Sequence, residues 1–223
     1  MNKLAIIVPF RDRHNHLKKF IPHMESFFDQ KKINVNIFVV EQIDNKPFNR
    51  AKLLNVGFSE TKGDHDYFCF HDIDLLPVNN DCDYSYNQGV CKLSYYVSQF
   101  NFQPRPTDEL GGVTMFDKDS YIEVNGYSND YWGWGVEDND LGERCKRKQI
   151  PFSLRKGRYL SLPHKPNGDT MGGVPTPQTS KNRKYFSETM RSNNFFQSGL
   201  SSLNYRKVDE EKNKFYTKIM VEL

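Results

Sequence analysis

Two carboxylates stand one residue apart directly after a short apolar segment, as Asp72 and Asp74 following residues 67–70. In an extended chain, side chains at i and i+2 point the same way, so both carboxylates can approach one point. Hard oxygen ligands of this kind suit Mg²⁺ or Mn²⁺ that bridges phosphate groups. A pair of exposed, loop-capping aspartates is the alternative, but the apolar strand before them favours a metal site. His164 is a second candidate ligand, although a lone histidine is more often a surface or core residue.

The chain's two tryptophans, Trp132 and Trp134, stand one glycine apart and are followed by Glu137 and Asp138. Tryptophan rings offer an amphipathic face on which a sugar ring can pack, and carboxylates accept hydrogen bonds from its hydroxyl groups. A carboxylate in the first turn of a helix is kept ionised by the helix dipole, which would make Asp138 usable as a base at neutral pH. The alternative is that both tryptophans anchor a glycine-hinged loop in the core.

Two further segments combine an aromatic residue with arginine, namely PFRDR at residues 9–13 and FNR at residues 48–50. Arginine forks suit diphosphate oxygens, and an aromatic ring can stack on a base, so the two segments together could hold a nucleotide. Taken singly, each segment favours the simpler interpretation that Phe10 and Phe48 lie in the core and that the arginines are solvated.

Alternating strands and helices would position these residues. Apolar runs at residues 4–8, 33–40 and 67–70 predict buried strands, and residues 49–60 predict a helix capped by Asn49. Apolar residues from Leu17 onward recur at helical spacing, and we expect Pro22 to kink that helix or to mark its start. Such an order is typical of a parallel α/β sheet, in which ligands bind beyond the carboxyl ends of the strands.

The second half of the chain is less regular. Residues 79–108 are predicted to form a loop, residues 111–116 a strand, and residues 138–148 a helix with acids at its start and basic residues at its end. The Gly- and Pro-containing residues 163–180 have the composition of a mobile loop. Residues 203–208 and 215–221 predict a terminal hairpin.

Bulk composition excludes several classes of protein. A length of 223 residues favours one domain, and a formal net charge of +3 with dispersed lysines and arginines does not call for nucleic acid as a partner. The apolar run near the N-terminus is too short for a signal sequence or a transmembrane segment, which predicts a cytoplasmic protein. The four cysteines show no metal-ligand spacing and are expected to be reduced.

Six motifs, in order, resemble those of the β-1,4-galactosyltransferase family over nearly the full chain: IIVPFRDRHNHL, FNRAKLLNVGFSE, DIDLLP, GGVTMF, NGYSNDYWGWGVEDND and GLSSLNYRKV. The resemblance implies a GT-A architecture, a Rossmann-like nucleotide-sugar fold with a mixed central sheet flanked by helices. It also implies a UDP-hexose donor, Mn²⁺ with Mg²⁺ as the alternative, and inversion at the anomeric carbon.

The resemblance assigns a role to each matching position. Asp138 is the catalytic base, and the metal ligands are Asp74 and His164. The residues that would contact UDP are Pro9, Phe10, Arg11, Arg13, Phe48, Arg50, Asp72 and Ile73. The residues that would contact the sugars are Trp134, Glu137, Glu109 and Gly112. The resemblance further implies that residues 163–180 and the glycines beside Trp134 move over bound donor.

Several positions depart from the family pattern. Ser161 stands where vertebrate members have a methionine metal ligand, Glu109 stands where they have a tyrosine that bears on galactose versus N-acetylgalactosamine, and Val136 replaces a glycine. The expected donor is therefore a UDP-sugar carrying either hexose, and the acceptor a saccharide or glycolipid. We expect this chain to act without the family's membrane anchor, so the expected location is cytoplasmic, or peripheral at the inner membrane face. A capsule polymerase-type hexosyltransferase and a non-catalytic sugar-binding module are the alternatives.

Overall fold

The computed structural model describes residues 2–78, 81–107, 109–163, 170–171 and 174–223, with the backbone alone for residues 170, 171, 174 and 175. The strands and helices follow in the order β1 (Lys3–Phe10), α1 (His14–Asp29), β2 (Asn34–Gln42), α2 (Arg50–Thr61), β3 (Tyr67–His71), β4 (Leu75–Pro77), β5 (Val90–Lys92), β6 (Tyr96–Val97), β7 (Val113–Asp117), α3 (Lys118–Glu123), α4 (Glu137–Arg147), β8 (Phe152–Leu154), β9 (Arg158–Ser161), β10 (Thr170–Met171), β11 (Val174–Pro175), α5 (Pro177–Ser192), β12 (Arg206–Lys212) and β13 (Tyr216–Glu222).

Eight strands form one mixed sheet in the order β12-β13-β2-β1-β3-β7-β5-β8. β2 and β3 lie parallel to β1 on either side of it, whereas β7 is antiparallel to β3. Alternate side chains of β1 enter different cores: Ile6 packs with residues of α1, and Ile7 packs with residues of α2. The period of two therefore places one helix on each face, which confirms the expected mixed α/β sheet flanked by helices.

The carboxyl ends of β1, β2 and β3 share one edge of the sheet because the three strands are parallel. The chain leaves them at Arg11, at Ile43 and at Asp72. Candidate nucleotide and metal residues from three distant parts of the sequence are thereby brought to the same edge.

The predicted helices lie close to their expected positions. Asn49 caps α2 by accepting a hydrogen bond from the Lys52 amide at 2.8 Å. Gly57 lets α2 approach β1, since a Cβ at that position would lie 2.3 Å from Ile7 Cγ2. The expectation that Pro22 marks the start of the first helix is wrong: α1 begins at His14 and contains Pro22 in its interior. Buried apolar residues on both sides of the proline keep the helix on the sheet, as with Phe20 and Met24.

Two segments predicted as loops contain regular structure. Residues 79–108 include β5 and β6, which are too short to show a period in the sequence. Residues 163–180 include β10, β11 and the first turn of α5, although residues 164–169 and 172–173 of this segment lie outside the described part of the chain. Thr176 caps α5 and Pro177 occupies its first position, where proline is tolerated.

The terminal hairpin is confirmed as β12 paired antiparallel with β13, and β13 joins the sheet parallel to β2. All four cysteines lie in the described part of the chain, are buried and form no disulfide there, as expected for reduced side chains. Within the described ranges, no helix combines the length and the apolar character needed to span a bilayer.

Candidate active site

Arg50, the first residue of α2, joins the acidic end of β3 to the start of α4. Its Nε donates to Asp72 Oδ1 at 2.7 Å, and one terminal nitrogen donates to Asp138 Oδ1 at 3.0 Å. The arginine side chain is only 13% exposed, so both ion pairs are partly shielded from water. Two segments that the sequence places far apart, and that were expected to share one site, therefore meet at a single guanidinium group.

The Asp72–Asp74 segment forms a turn held by backbone hydrogen bonds. The Asp72 amide donates to the Gly112 carbonyl at 2.9 Å, and the Leu75 amide donates to the Asp72 carbonyl at 3.2 Å. Ile73, between the two carboxylates, is 7% exposed and packs in the core. The buried isoleucine and the turn together keep both aspartates at the edge of the sheet.

The strand that leads to His164 runs directly beside Asp74. β9 pairs antiparallel with β4, and the Leu162 amide donates to the Asp74 carbonyl at 2.7 Å. His164 itself lies outside the described residues. Asp74 and His164 would offer a carboxylate and an imidazole, a donor set that suits Mn²⁺.

Other side chains near this point do not complete a metal cage. The Ser161 hydroxyl donates to Gln99 Oε1 at 3.0 Å and is thus engaged with a neighbouring side chain. Across the part of the chain that the structure describes, no cluster of three or more His, Cys, Asp or Glu residues could hold a metal ion. The assignment of a metal to this edge therefore depends on His164.

Glu137 and Asp138 open α4, which begins one residue before the predicted start at Asp138. Burial, with a smaller contribution from Asp138, raises the pKa of Glu137 to about 8. Burial also raises the pKa of Asp138, and Arg50 opposes that shift. The helix dipole alone would lower the pKa of Asp138, whereas its pKa is raised. The loss of water around the carboxylate outweighs the effect of its position in the first helical turn. Arg50 favours the charged form of Asp138.

The backbone around these carboxylates is tightly folded. Val136 has φ +66°, a left-handed conformation that is strained for a β-branched residue and that suits the glycine of the family pattern. Gly111 lies against the catalytic candidate, since a Cβ there would be 2.3 Å from Asp138 Oδ2. Gly112, the other glycine of the motif, has φ +80° and follows directly. A Cβ at Gly112 would lie 2.5 Å from Ser94 Oγ, so this position also requires glycine.

The two tryptophans differ in exposure. The Trp132 ring is partly buried and packs against the core, with Lys52 Nζ 5.8 Å from the ring centroid. Trp134 is 50% exposed. One tryptophan therefore anchors the loop, as the alternative interpretation had it, and the other presents an accessible face for a sugar ring.

Asn182, on α5, holds the tryptophan segment, a role that its sequence context does not indicate. Its Nδ2 donates to the carbonyls of Trp132 and Trp134, at 3.0 and 3.2 Å. On the other side of the segment, the Gly133 amide donates to the Phe48 carbonyl at 2.7 Å. No signal in the sequence pointed to this role, since α5 itself was not predicted and the burial of Asn182 is known only from the structure.

The candidate nucleotide residues lie at the carboxyl end of β1 and before α2. Pro9 and Phe10 are buried, and Phe10 belongs to the core. Phe48 is half-buried, and the Arg11 guanidinium lies 5.3 Å from the centroid of its ring. Arg13 precedes the first residue of α1. Of the two aromatic rings, Phe48 alone has the exposed surface that stacking on a base requires.

Glu109 forms an ion pair with Arg105 at 2.8 Å, and its side chain is 37% exposed. The Arg105 guanidinium in turn lies 3.9 Å from the centroid of the Phe100 ring. The carboxylate is thus oriented by a neighbour in the same loop and stays accessible to a ligand.

Comparison with known proteins relates the sequence to one family of glycosyltransferases. The N-terminal region of glycosyl transferase group 7 matches residues 1–87, and the N-terminal domain of galactosyltransferase matches residues 92–165. Mouse β-1,4-galactosyltransferase 1 is 34% identical over 227 residues, which cover 100% of this chain and 55% of the mouse protein. The chain thus spans about half the length of that relative.

Solved structures show the same fold. The catalytic domain of Drosophila β1,4-galactosyltransferase 7 in complex with xylobiose superposes with a TM-score of 0.83 at 27% identity, covering 100% of this chain and 94% of the Drosophila chain. A mutant of the Drosophila enzyme in complex with manganese, UDP-Gal and xylobiose gives a TM-score of 0.78 at 26% identity, with the same coverage of both chains. The expected GT-A-like architecture is confirmed. With its two family matches and full-length similarity, the chain belongs to the β-1,4-galactosyltransferase family.

Proposed function

We propose that this chain transfers galactose from UDP-galactose to a hydroxyl group of a saccharide or glycolipid acceptor, with inversion at the anomeric carbon. The observation that carries the proposal is the Arg50 junction, which brings the acidic end of β3 and the first turn of α4 into one site. The related Drosophila enzyme, whose structure contains manganese, UDP-Gal and xylobiose, supports the choice of donor and metal.

Three residues of the chain would act directly on the sugars. Asp138 accepts the proton of the acceptor hydroxyl, and that oxygen attacks the anomeric carbon while the bond from that carbon to UDP breaks. Glu137, with its pKa raised to about 8 by burial, keeps its proton near neutral pH and can donate a hydrogen bond to a sugar oxygen. Trp134 offers its exposed face to the sugar ring.

Arg50 has two roles in this scheme. It favours the charged form of Asp138, and its pairing with Asp72 holds the guanidinium at the end of β3, where the diphosphate would bind. Asp74 and His164 would hold Mn²⁺, which supplies positive charge next to the leaving diphosphate. Arg11 and Phe48 would contact the nucleotide from the neighbouring strand ends.

The direct test is a transfer assay on the purified chain with UDP-Gal and xylobiose, in which UDP release is measured with and without Mn²⁺ and the product mass is determined. UDP-GalNAc and UDP-glucose serve as competing donors. A non-catalytic sugar-binding module would release no UDP, and a polymerase-type enzyme would add more than one sugar. The cytoplasmic location stays a prediction that cell fractionation would test.

Asp138→Asn separates the chemical step from donor binding. We expect transfer to fall by about 10³-fold or more, because the amide cannot accept the proton, while calorimetry shows UDP binding with Mn²⁺ largely retained. Asp130→Asn, at an exposed position outside the proposed site, is the matched control and should transfer normally. Normal turnover by Asp138→Asn would show that another group is the base.

A further inference from the structure

Lys92, the last residue of β5, is buried and holds a loop beside the candidate site. Lys92 is 2% exposed, and its Nζ donates to the carbonyl oxygens of Pro106 and Glu109. A buried ammonium group is costly unless its hydrogens are bonded, so these contacts fix both the lysine and the loop. No family motif identified in the sequence includes this residue.

Ser94, two residues further along, holds the other end of the same segment. Its hydroxyl donates to the Gly111 carbonyl at 3.0 Å and accepts from the Val113 amide at 2.9 Å. Residues 109–111 are therefore attached to β5 and its continuation at both ends, through Lys92 at Glu109 and through Ser94 at Gly111. The segment has little freedom to move away from that strand.

Asp138 lies directly against this segment. The site of a Cβ on Gly111 is 2.3 Å from Asp138 Oδ2, and the Leu110 amide points to the Asp138 carbonyl at 3.5 Å. Any displacement of residues 109–111 would therefore change the space and the contacts available to the Asp138 carboxylate. Arg50 restrains the same carboxylate from α2.

We propose that Lys92 is a positioning residue for Asp138: its buried ammonium group fixes residues 109–111 against the carboxylate and adds a positive charge near it. The inference rests on the proposed function, because it assigns to Asp138 the role of base. Lys92 itself would touch neither substrate nor reacting atoms.

Charged groups face Asp138 from several elements. Burial has the largest effect and raises its pKa; Arg50 and Lys92 lower the pKa, whereas Asp72 and Glu109 raise it. Glu137 adjoins Asp138 in the same helical turn. Since Lys92 favours the charged form, removal of its charge should raise the pKa of Asp138 and leave less of the base deprotonated at a given pH.

The test uses three variants of the full chain. Lys92→Met removes the charge and the hydrogen bonds, Lys92→Gln removes the charge but keeps a donor, and Lys92→Arg keeps both. With Mn²⁺ saturating, we expect the acid limb of the kcat/KM profile to move up by about half a pH unit or more in the Met and Gln variants and to stay in place for Arg. For Lys92→Met we also expect kcat to fall about tenfold with little change in the Kd of UDP.

Lys18→Met is the matched control, because it removes a lysine that is exposed on α1 and should change neither quantity. If Lys92→Met does not fold, the same measurements on Lys92→Gln test the proposal. Wild-type kcat and an unmoved acid limb in the folded Met or Gln variant would overturn the proposal.

A readout that needs no turnover separates this inference from the proposed function. Carbon-13 NMR titration of the aspartate carboxyl groups in the metal-free protein, with the Asp138 signal assigned through Asp138→Asn, should show a higher pKa in Lys92→Gln than in wild type. An inactive wild-type chain would refute the proposed function alone. An active chain whose Asp138 titration is the same in wild type and Lys92→Gln would refute the role of Lys92 alone.

Discussion

The buried carboxyl group of Glu137 should make the folded protein less stable as the pH rises from 5 to 7, and Glu137→Gln should remove this pH-dependent loss. Glu137 is 6% exposed, and burial raises its pKa from an ordinary value of 4.5 to about 8. The folded protein therefore binds more protons than the unfolded chain between these two pH values. Under proton linkage, this group stabilises the fold fully below its unfolded pKa, and that contribution is lost as pH rises through the folded pKa.

The size of the effect follows from the two pKa values. Each pH unit between them lowers the free energy of unfolding by about 1.4 kcal/mol. From pH 5 to pH 7 the loss is about 2.5 kcal/mol, slightly less than two full units because the unfolded group is not completely ionised at pH 5. Glutamine has the same shape and does not titrate, so the stability of the variant relative to wild type should increase by this amount over the same interval.

The assay is urea unfolding of wild type and Glu137→Gln at pH 5, 6 and 7, compared as differences between the two proteins at each pH. Glu123→Gln, at an exposed position on α3, controls for the general effect of removing a carboxylate and should show a nearly constant difference. A difference between wild type and Glu137→Gln that changes by less than about 0.5 kcal/mol from pH 5 to pH 7 would refute the assignment of a raised pKa to this group.

Two other substitutions test separate parts of the structure. Arg144 pairs with Asp140 at 2.5 Å, and both side chains are 1% exposed. Arg144→Met should therefore destabilise the protein by about 3–5 kcal/mol, because it leaves the buried Asp140 without its ion-pair partner. Urea unfolding measures this change, and a loss under about 1 kcal/mol would show that the ion pair is dispensable. Trp134→Ala should lower the free energy of unfolding by no more than about 2–3 kcal/mol, because half of the side chain is exposed and only its buried half loses apolar contact. Its transfer activity should fall through a higher acceptor KM, and an unchanged KM would exclude Trp134 from the sugar site.

The sequence located the strands and helices that carry the proposed chemistry because each has a strong local signal. The apolar run of β1 and the capped start of α2 depend on residues that are neighbours in the chain. The first turn of α4 was likewise found within one residue, from its acidic start and basic end. Short strands such as β5 gave no such signal, since three residues cannot show a period.

The helix that holds the tryptophan loop was missed for a different reason. Pro177 and the glycines and prolines before it indicated a loop, yet a proline in the first helical turn is compatible with a helix. Without α5, the role of Asn182 could not be inferred, because its two hydrogen bonds are made to carbonyls some fifty positions earlier in the chain.

By itself, the sequence determined which residue types stand at the strand ends and at the start of α4, and hence the chemistry that they can perform. Only the tertiary structure decided the protonation state of these residues and the contacts between them. The helix dipole predicted an ionised Asp138, whereas burial raises its pKa and Arg50 opposes the shift. Desolvation and pairing depend on which distant segments pack around a group, and no local pattern of residues encodes that packing.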